Sequence, residues 1–182
     1  MRSEGISQVM VTGDAGFLGS HLCERLLPDD YELQCIDDFY TGTKQEATRL
    51  TSNPDFEKLR HDITFPLYID VVDICSLACP ASPIQHQFDF VQTTNTSVPG
   101  AIKVLGLANR VKTKNLQSSN SEVYGNPEAR PQRDDYWAAS PPANGALIRS
   151  FWNVDDLIEE FVMLQHSRTH FCNRKPLVRH TI

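Results

Sequence analysis

Near the N-terminus, Gly13-Asp14-Ala15-Gly16-Phe17-Leu18-Gly19 places three glycines at intervals of three. They follow the apolar run Val9-Met10-Val11 and open a helical pattern from Phe17 to Leu27, stopped by Pro28. The chemistry of such a turn is anion binding. Gly13 permits the tight turn, Gly16 lets backbone approach a pyrophosphate, and Gly19 lets the helix pack closely on the sheet. Free N–H groups and the positive helix end then attract phosphate. Asp37 closes the next strand-like run, 24 residues after Gly13. A carboxylate there accepts hydrogen bonds from both ribose hydroxyls and repels a 2′-phosphate, which favours NAD over NADP. The plain alternative is a structural βα turn with an ordinary surface aspartate. Asp14 is out of keeping with phosphate, because it sets a carboxylate beside the pyrophosphate position. Turned inward it weakens binding, and turned outward it is harmless.

The elements that must hold this turn alternate between strand and helix signals. Tyr31–Asp37 and Phe56–Asp62 read as strands, with a polar helix candidate over Thr43–Leu50 between them. Val71–Ala78 is a nearly continuous apolar run, as expected of a central parallel strand covered on both faces. Val91, Val98, Ile102, Leu105 and Ala108 follow at helical spacing, and Asn115–Ser119 offers a further strand end. Pro99 sits within that helical pattern, where proline costs about 3 kcal/mol and kinks the helix. Residues 125–147, with Pro127, Pro131, Pro141 and Pro142, read as loop. One more helix begins after Asn153. Asp155 and Asp156 suit its positive end, and Val154, Leu157, Ile158, Phe161 and Val162 form a stripe expected to face the core. From Gln165 onward no periodicity remains. Strands separated by helices predict an α/β fold, a doubly wound parallel sheet of Rossmann-like type.

Composition narrows the function classes. The chain has 182 residues, 40% of them hydrophobic, and a net charge of −6. No apolar stretch approaches the ~18–20 residues of a membrane span, and no basic segment leads into an apolar one at the N-terminus. The acidic balance argues against nucleic acid and anionic membranes as partners. Five cysteines (Cys23, Cys35, Cys75, Cys79 and Cys172) without a C-x-x-C pair predict a reducing compartment, hence a cytoplasmic location. Cys35 and Cys75 lie in apolar strand-like runs, where a thiol behaves as a small buried hydrophobe. His166, His170, Cys172 and His180 could be combined as zinc ligands. They lie in a polar tail without a ligand framework, and no metal is expected.

Longer motifs carry a family resemblance. Val11-Thr12-Gly13-x-x-Gly16-x-x-Gly19 resembles the extended short-chain dehydrogenase/reductase superfamily. Asp37-Asp38-Phe39-Tyr40-Thr41-Gly42, Leu59-Arg60-His61-Asp62-Ile63-Thr64 and Leu77-Ala78-Cys79-Pro80-Ala81-Ser82-Pro83 are similar to one member family, UDP-glucuronate decarboxylase (UDP-xylose synthase). So are Leu105-Gly106-Leu107-Ala108, Ser121-Glu122-Val123-Tyr124-Gly125 and Asp135-Tyr136-Trp137. The likeness runs from about residue 8 to 137. It implies a lyase of nucleotide-sugar metabolism in which NAD oxidises the sugar 4-hydroxyl of UDP-glucuronate. Carbon dioxide then leaves from the β-keto acid, and the hydride returns to give UDP-xylose. It also implies that Gly13, Gly16, Phe17, Leu18, Gly19, Asp37, Thr41, Gly42, Asp62, Ile63, Leu77 and Ala78 hold NAD. Pro80, Ala81 and Ser82 would lie near the UDP-sugar, and Glu122 would be the glutamate of the catalytic site.

Against this pattern the sequence has clear departures. The family's catalytic hydroxyl position is Asn120, whose amide cannot relay a proton as a hydroxyl does. The catalytic Tyr-x-x-x-Lys helix, in which lysine lowers the tyrosine pKa, is missing. Tyr40 and Lys44 have that spacing but match the family's cofactor-side loop. Ile148-Arg149-Ser150-Phe151-Trp152-Asn153-Val154-Asp155-Asp156-Leu157 resembles a family segment that normally follows well after the catalytic helix. The chain thus steps from near Trp137 to that later segment, and Arg149 matches an arginine on the UDP diphosphate. The resemblance divides the chain into a cofactor domain, 1–137, and a shortened remnant of the nucleotide-sugar part, 138–182. It also implies a homodimer built on the long helix and the catalytic helix, of which only the first is kept.

Overall fold

Val9, Met10 and Val11 are completely buried because β1 (Ser7–Thr12) runs through the middle of the sheet. A computed structural model describes residues 7–29, 31–41, 50–80, 88–119 and 153–166. In chain order come β1, α1 (Phe17–Leu26), β2 (Tyr31–Asp37), β3 (Phe56–Arg60), β4 (Asp73–Ser76), α2 (Phe90–Asn95), α3 (Ala101–Val111), β5 (Lys114–Gln117) and α4 (Val154–His166). The strands lie in the order β3-β2-β1-β4-β5, and every pairing is parallel. The expected α/β fold is the observed one. Met1–Ser118 and Val154–Gln165 make up one compact unit. The candidate helix over 43–50 and the boundary near residue 137 fall largely or wholly outside the described residues.

Alternation along β1 divides the core in two. Val9 and Val11 join Leu22, Cys23 and Leu26 of α1 and Leu33 and Cys35 of β2 on one face. Met10 joins Ile36, Ile74, and Val104, Leu107 and Ala108 of α3 on the other. A parallel sheet covered on both faces needs such apolar positions on each side. Ile158 and Val162 of α4 are buried in the first cluster, with Val154 and Phe161 packed against it, so the α4 stripe faces the core at every position but the half-buried Leu157. Ile158→Ala is therefore expected to destabilise the chain by about 2–5 kcal/mol, read as a lower urea midpoint with an unchanged slope. A change under 0.5 kcal/mol, the range of ordinary surface substitutions, would show that α4 does not pack there.

Several boundaries differ from the sequence expectation for local reasons. Only Asp73–Ser76 of the run Val71–Ala78 is strand, because Leu77 and Ala78 peel away to meet the turn after β1. Pro28 lies inside a single 3-10 turn, Leu27–Asp29, that ends α1. Pro99 sits in a π-helical turn, Thr96–Gly100, between α2 and α3. A wider turn absorbs a proline that cannot donate the usual helical hydrogen bond. Gly100 allows this turn to close on Ile63, whose Cδ1 would lie 2.8 Å from any added Cβ.

Cys35 and Cys75 are fully buried, as their apolar runs predicted. Burial pushes the Cys75 thiol up to about 12 and raises that of Cys35, so both stay protonated at neutral pH. Among the described residues no helix is long and apolar enough to cross a membrane, and no three potential ligands gather as a metal site. His170, Cys172 and His180 lie outside those residues.

Candidate functional site

The chain leaves β1 toward β2 and β3 on one side and returns to β4 and β5 on the other. Reversal at the β1–β4 boundary opens a crevice beyond the C-terminal strand ends. Thr12 is buried behind it. Its buried Oγ1 accepts the N–H groups of Leu77 and Ala78, each at 3.2 Å, tying the end of β1 to the segment after β4.

Gly13 turns the chain with a φ of +78°, a left-handed conformation that disfavours side chains. Its N–H donates to the Ile36 carbonyl at 2.9 Å. A Cβ there would stand 2.9 Å from Ala78 N and Cα, so a bare backbone is required twice over. Gly19 is required for contact: a Cβ would be driven into the Gly13 carbonyl, with Asp14 Cα 2.8 Å away. Gly16 sits at the N-cap of α1 and makes no side-chain cap. The first N–H groups of the helix, those of Phe17, Leu18 and Gly19, have no intrahelical partner.

Asp37 ends β2 and is 9% exposed. Its Oδ2 accepts the Ala15 N–H at 3.0 Å and its Oδ1 the Phe39 N–H at 2.6 Å. That second bond holds Phe39 at a φ of 62°, an uncommon conformation for a large side chain. Burial raises the Asp37 carboxyl above its ordinary value, opposed by the two backbone N–H groups. A carboxylate has about four acceptor positions, and the described contacts use two.

Asp14 takes neither orientation the sequence suggested. It is buried, does not line the crevice, and turns its Oδ2 to Lys58 Nζ of β3 at 2.6 Å. The reason is proximity: Lys58 pairs in register with Cys35, which pairs with Val11, so all three sit on the α1 face beneath the turn.

Of the residues assigned to a cofactor, the crevice brings together Gly13, Gly16, Asp37, Thr41, Asp62, Ile63, Leu77 and Ala78, with Pro80 from the substrate group. Phe17, Leu18 and Gly19 do not line it; Phe17 is largely exposed and Gly19 is a packing residue. Gly42, Ala81, Ser82, Asn120, Glu122 and Arg149 lie outside the described residues. Ile36, Asp38, Tyr40, His61, Cys79 and Thr96 also line the crevice, though none was assigned to the cofactor or the substrate. Most are sequence neighbours of assigned residues. Thr96 enters from the π turn, and Pro99 was its only signal.

Comparison with known proteins agrees with this geometry. The model of the GDP-mannose 4,6 dehydratase family matches residues 10–144. UDP-glucuronic acid decarboxylase 6 of Arabidopsis thaliana is 40% identical over 164 residues, covering 90% of this chain and 47% of its own length. UDP-glucuronic acid decarboxylase 1 of Danio rerio is 42% identical over 135 residues, covering 74% and 32%. The chain thus spans less than half the length of these relatives. Among solved structures, a UDP-galactose 4-epimerase superposes with a TM-score of 0.61 at 25% identity, covering 71% of this chain and 43% of that one. A dTDP-glucose 4,6-dehydratase of Streptomyces venezuelae, solved with NAD bound, gives 0.65 at 23% identity, covering 73% and 45%. The residues matched by the family model contain the glycine turn, Asp37 and the segment after β4: the chain belongs to the GDP-mannose 4,6 dehydratase family, and its curated relatives include UDP-glucuronic acid decarboxylases.

Proposed function

We propose that this chain is an NAD-binding protein of UDP-glucuronate decarboxylase descent whose own turnover is severely impaired. The observation that carries the binding half is the crevice itself. Bare backbone at Gly13 and at Gly16, the N-cap of α1, lines it together with Asp37 at the end of β2. This fits a dinucleotide. The helix N-terminus suits the pyrophosphate, and the open acceptor positions of Asp37 suit the ribose hydroxyls while opposing a 2′-phosphate. Asp62, Ile63, Leu77 and Ala78, which line the same crevice, would also hold the cofactor, and Pro80 would lie near the UDP-sugar. When bound, NAD supplies hydride acceptance and return at the sugar 4-carbon. The remaining residues assigned by resemblance, Glu122, Asn120, Ala81, Ser82 and Arg149, would serve the sugar and its diphosphate.

The impaired half rests on the missing Tyr-x-x-x-Lys pair, because no assigned residue replaces a tyrosine with a lysine one helical turn on. A second reading follows from the same absence: a non-catalytic NAD-binding or regulatory partner of a full-length relative. NAD at about 100 times its Kd is expected to raise the melting temperature by about 5–10 °C, the equivalent of ~2.7 kcal/mol. A melt unmoved by millimolar NAD would contradict the binding half of the proposal.

A further inference from the structure

The Asp14–Lys58 pair is an oddity of the turn that the family pattern does not explain. Asp14 lies between the first two glycines, its side chain only 1% exposed. Lys58 reaches it from β3, with its own side chain 14% exposed, and the ammonium also lies 4.6 Å from the centre of the Phe39 ring. Asp14 Oδ1 has no hydrogen-bond partner among the described residues, so Lys58 is the one countercharge they give this carboxylate. A buried carboxylate stripped of its partner keeps an uncompensated charge or takes up a proton. At the positive start of a helix, that charge would offset the potential that draws in phosphate.

We infer that Lys58 is a positioning residue for the anion-binding turn: its ammonium cancels the carboxylate that Asp14 builds into the turn, which keeps the start of α1 receptive to a diphosphate. The inference rests on the proposed nucleotide binding and extends it to a residue outside the crevice. Asp14 is tolerated because β3 supplies the opposite charge from beneath the turn.

The test is a charge cycle on the whole chain, titrated calorimetrically with NAD and, separately, with inorganic pyrophosphate. Lys58→Met is expected to weaken NAD binding by about tenfold, since an uncompensated carboxylate in the turn opposes a phosphate at the start of α1. Adding Asp14→Asn to Lys58→Met is expected to restore most of the loss, which a merely structural role of Lys58 would not allow. Lys58→Met binding like wild type, or a double variant as weak as Lys58→Met, overturns the inference. If Lys58→Met does not fold, Asp14→Asn alone decides. Severalfold tighter binding supports the inference, and unchanged or weaker binding overturns it. A wild-type chain that ignores NAD but binds pyrophosphate with the same Lys58 dependence rejects the nucleotide reading and keeps this one. NAD binding indifferent to both charges does the reverse, and binding of neither probe rejects both.

Discussion

Supplied with UDP-glucuronate and NAD, the chain is expected to form UDP-xylose about 10²–10⁴-fold more slowly than a relative that carries the Tyr-x-x-x-Lys pair. The size of the deficit follows from the role of the missing group. Removing hydride from a sugar carbon requires the hydroxyl proton to leave in the same step. A tyrosine does this near neutral pH only when a neighbouring cation lowers its pKa. The two remaining tyrosines near the family's catalytic motif, Tyr124 and Tyr136, are followed four residues later by Glu128 and Ser140. Neither supplies a cation. In the proposed site Asn120 stands where the family pattern has a hydroxyl, yet Asn120→Thr is expected to recover little turnover, because groups that act as a unit do not contribute separately. Mass spectrometry of the reaction mixture at high protein loading measures the product. Formation at a rate matching the relative would show that another residue serves as base.

Gly19→Val is expected to destabilise the fold by upwards of ~3 kcal/mol and to abolish NAD binding with it. A β-carbon at this position meets main chain rather than a yielding side chain. The Gly13 carbonyl carbon would be 2.7 Å away and Asp14 Cα 2.8 Å. Relief would require α1 to lift from the turn. Leu22, Cys23 and Leu26, all fully buried, would then lose their packing on β1 and β2. Urea unfolding against wild type checks this. A midpoint equal to wild type would mean that α1 does not approach the turn as closely as described.

These two effects mark what the sequence could and could not show. The glycine spacing identified the turn, and the structure gives Gly13 and Gly19 the separate duties that spacing implied. The position of Asp37 at the end of a strand was legible 24 residues after Gly13, but its two hydrogen bonds to the Ala15 and Phe39 N–H groups were not. The α4 stripe was legible from helical periodicity, and Ile158 and Val162 are indeed core. Lys58 was not legible. Its pairing with Asp14 depends on β3 lying two strands from β1 in matched register, which no local pattern encodes. Asp14 was consequently offered two orientations, and it took a third. Thr96 was hidden for a related reason: a π turn shifts the helical face, so a strict 3.6-residue count does not find the residue that enters the crevice.

The proposal joins a crevice that binds NAD to a chain whose turnover is severely impaired. Titrating the chain with NAD in a calorimeter, then adding UDP-glucuronate to the same sample and assaying for UDP-xylose, tests both halves at once. Saturable heat from NAD followed by no more than trace product is the predicted result; no heat at millimolar NAD, or brisk product formation, would contradict it.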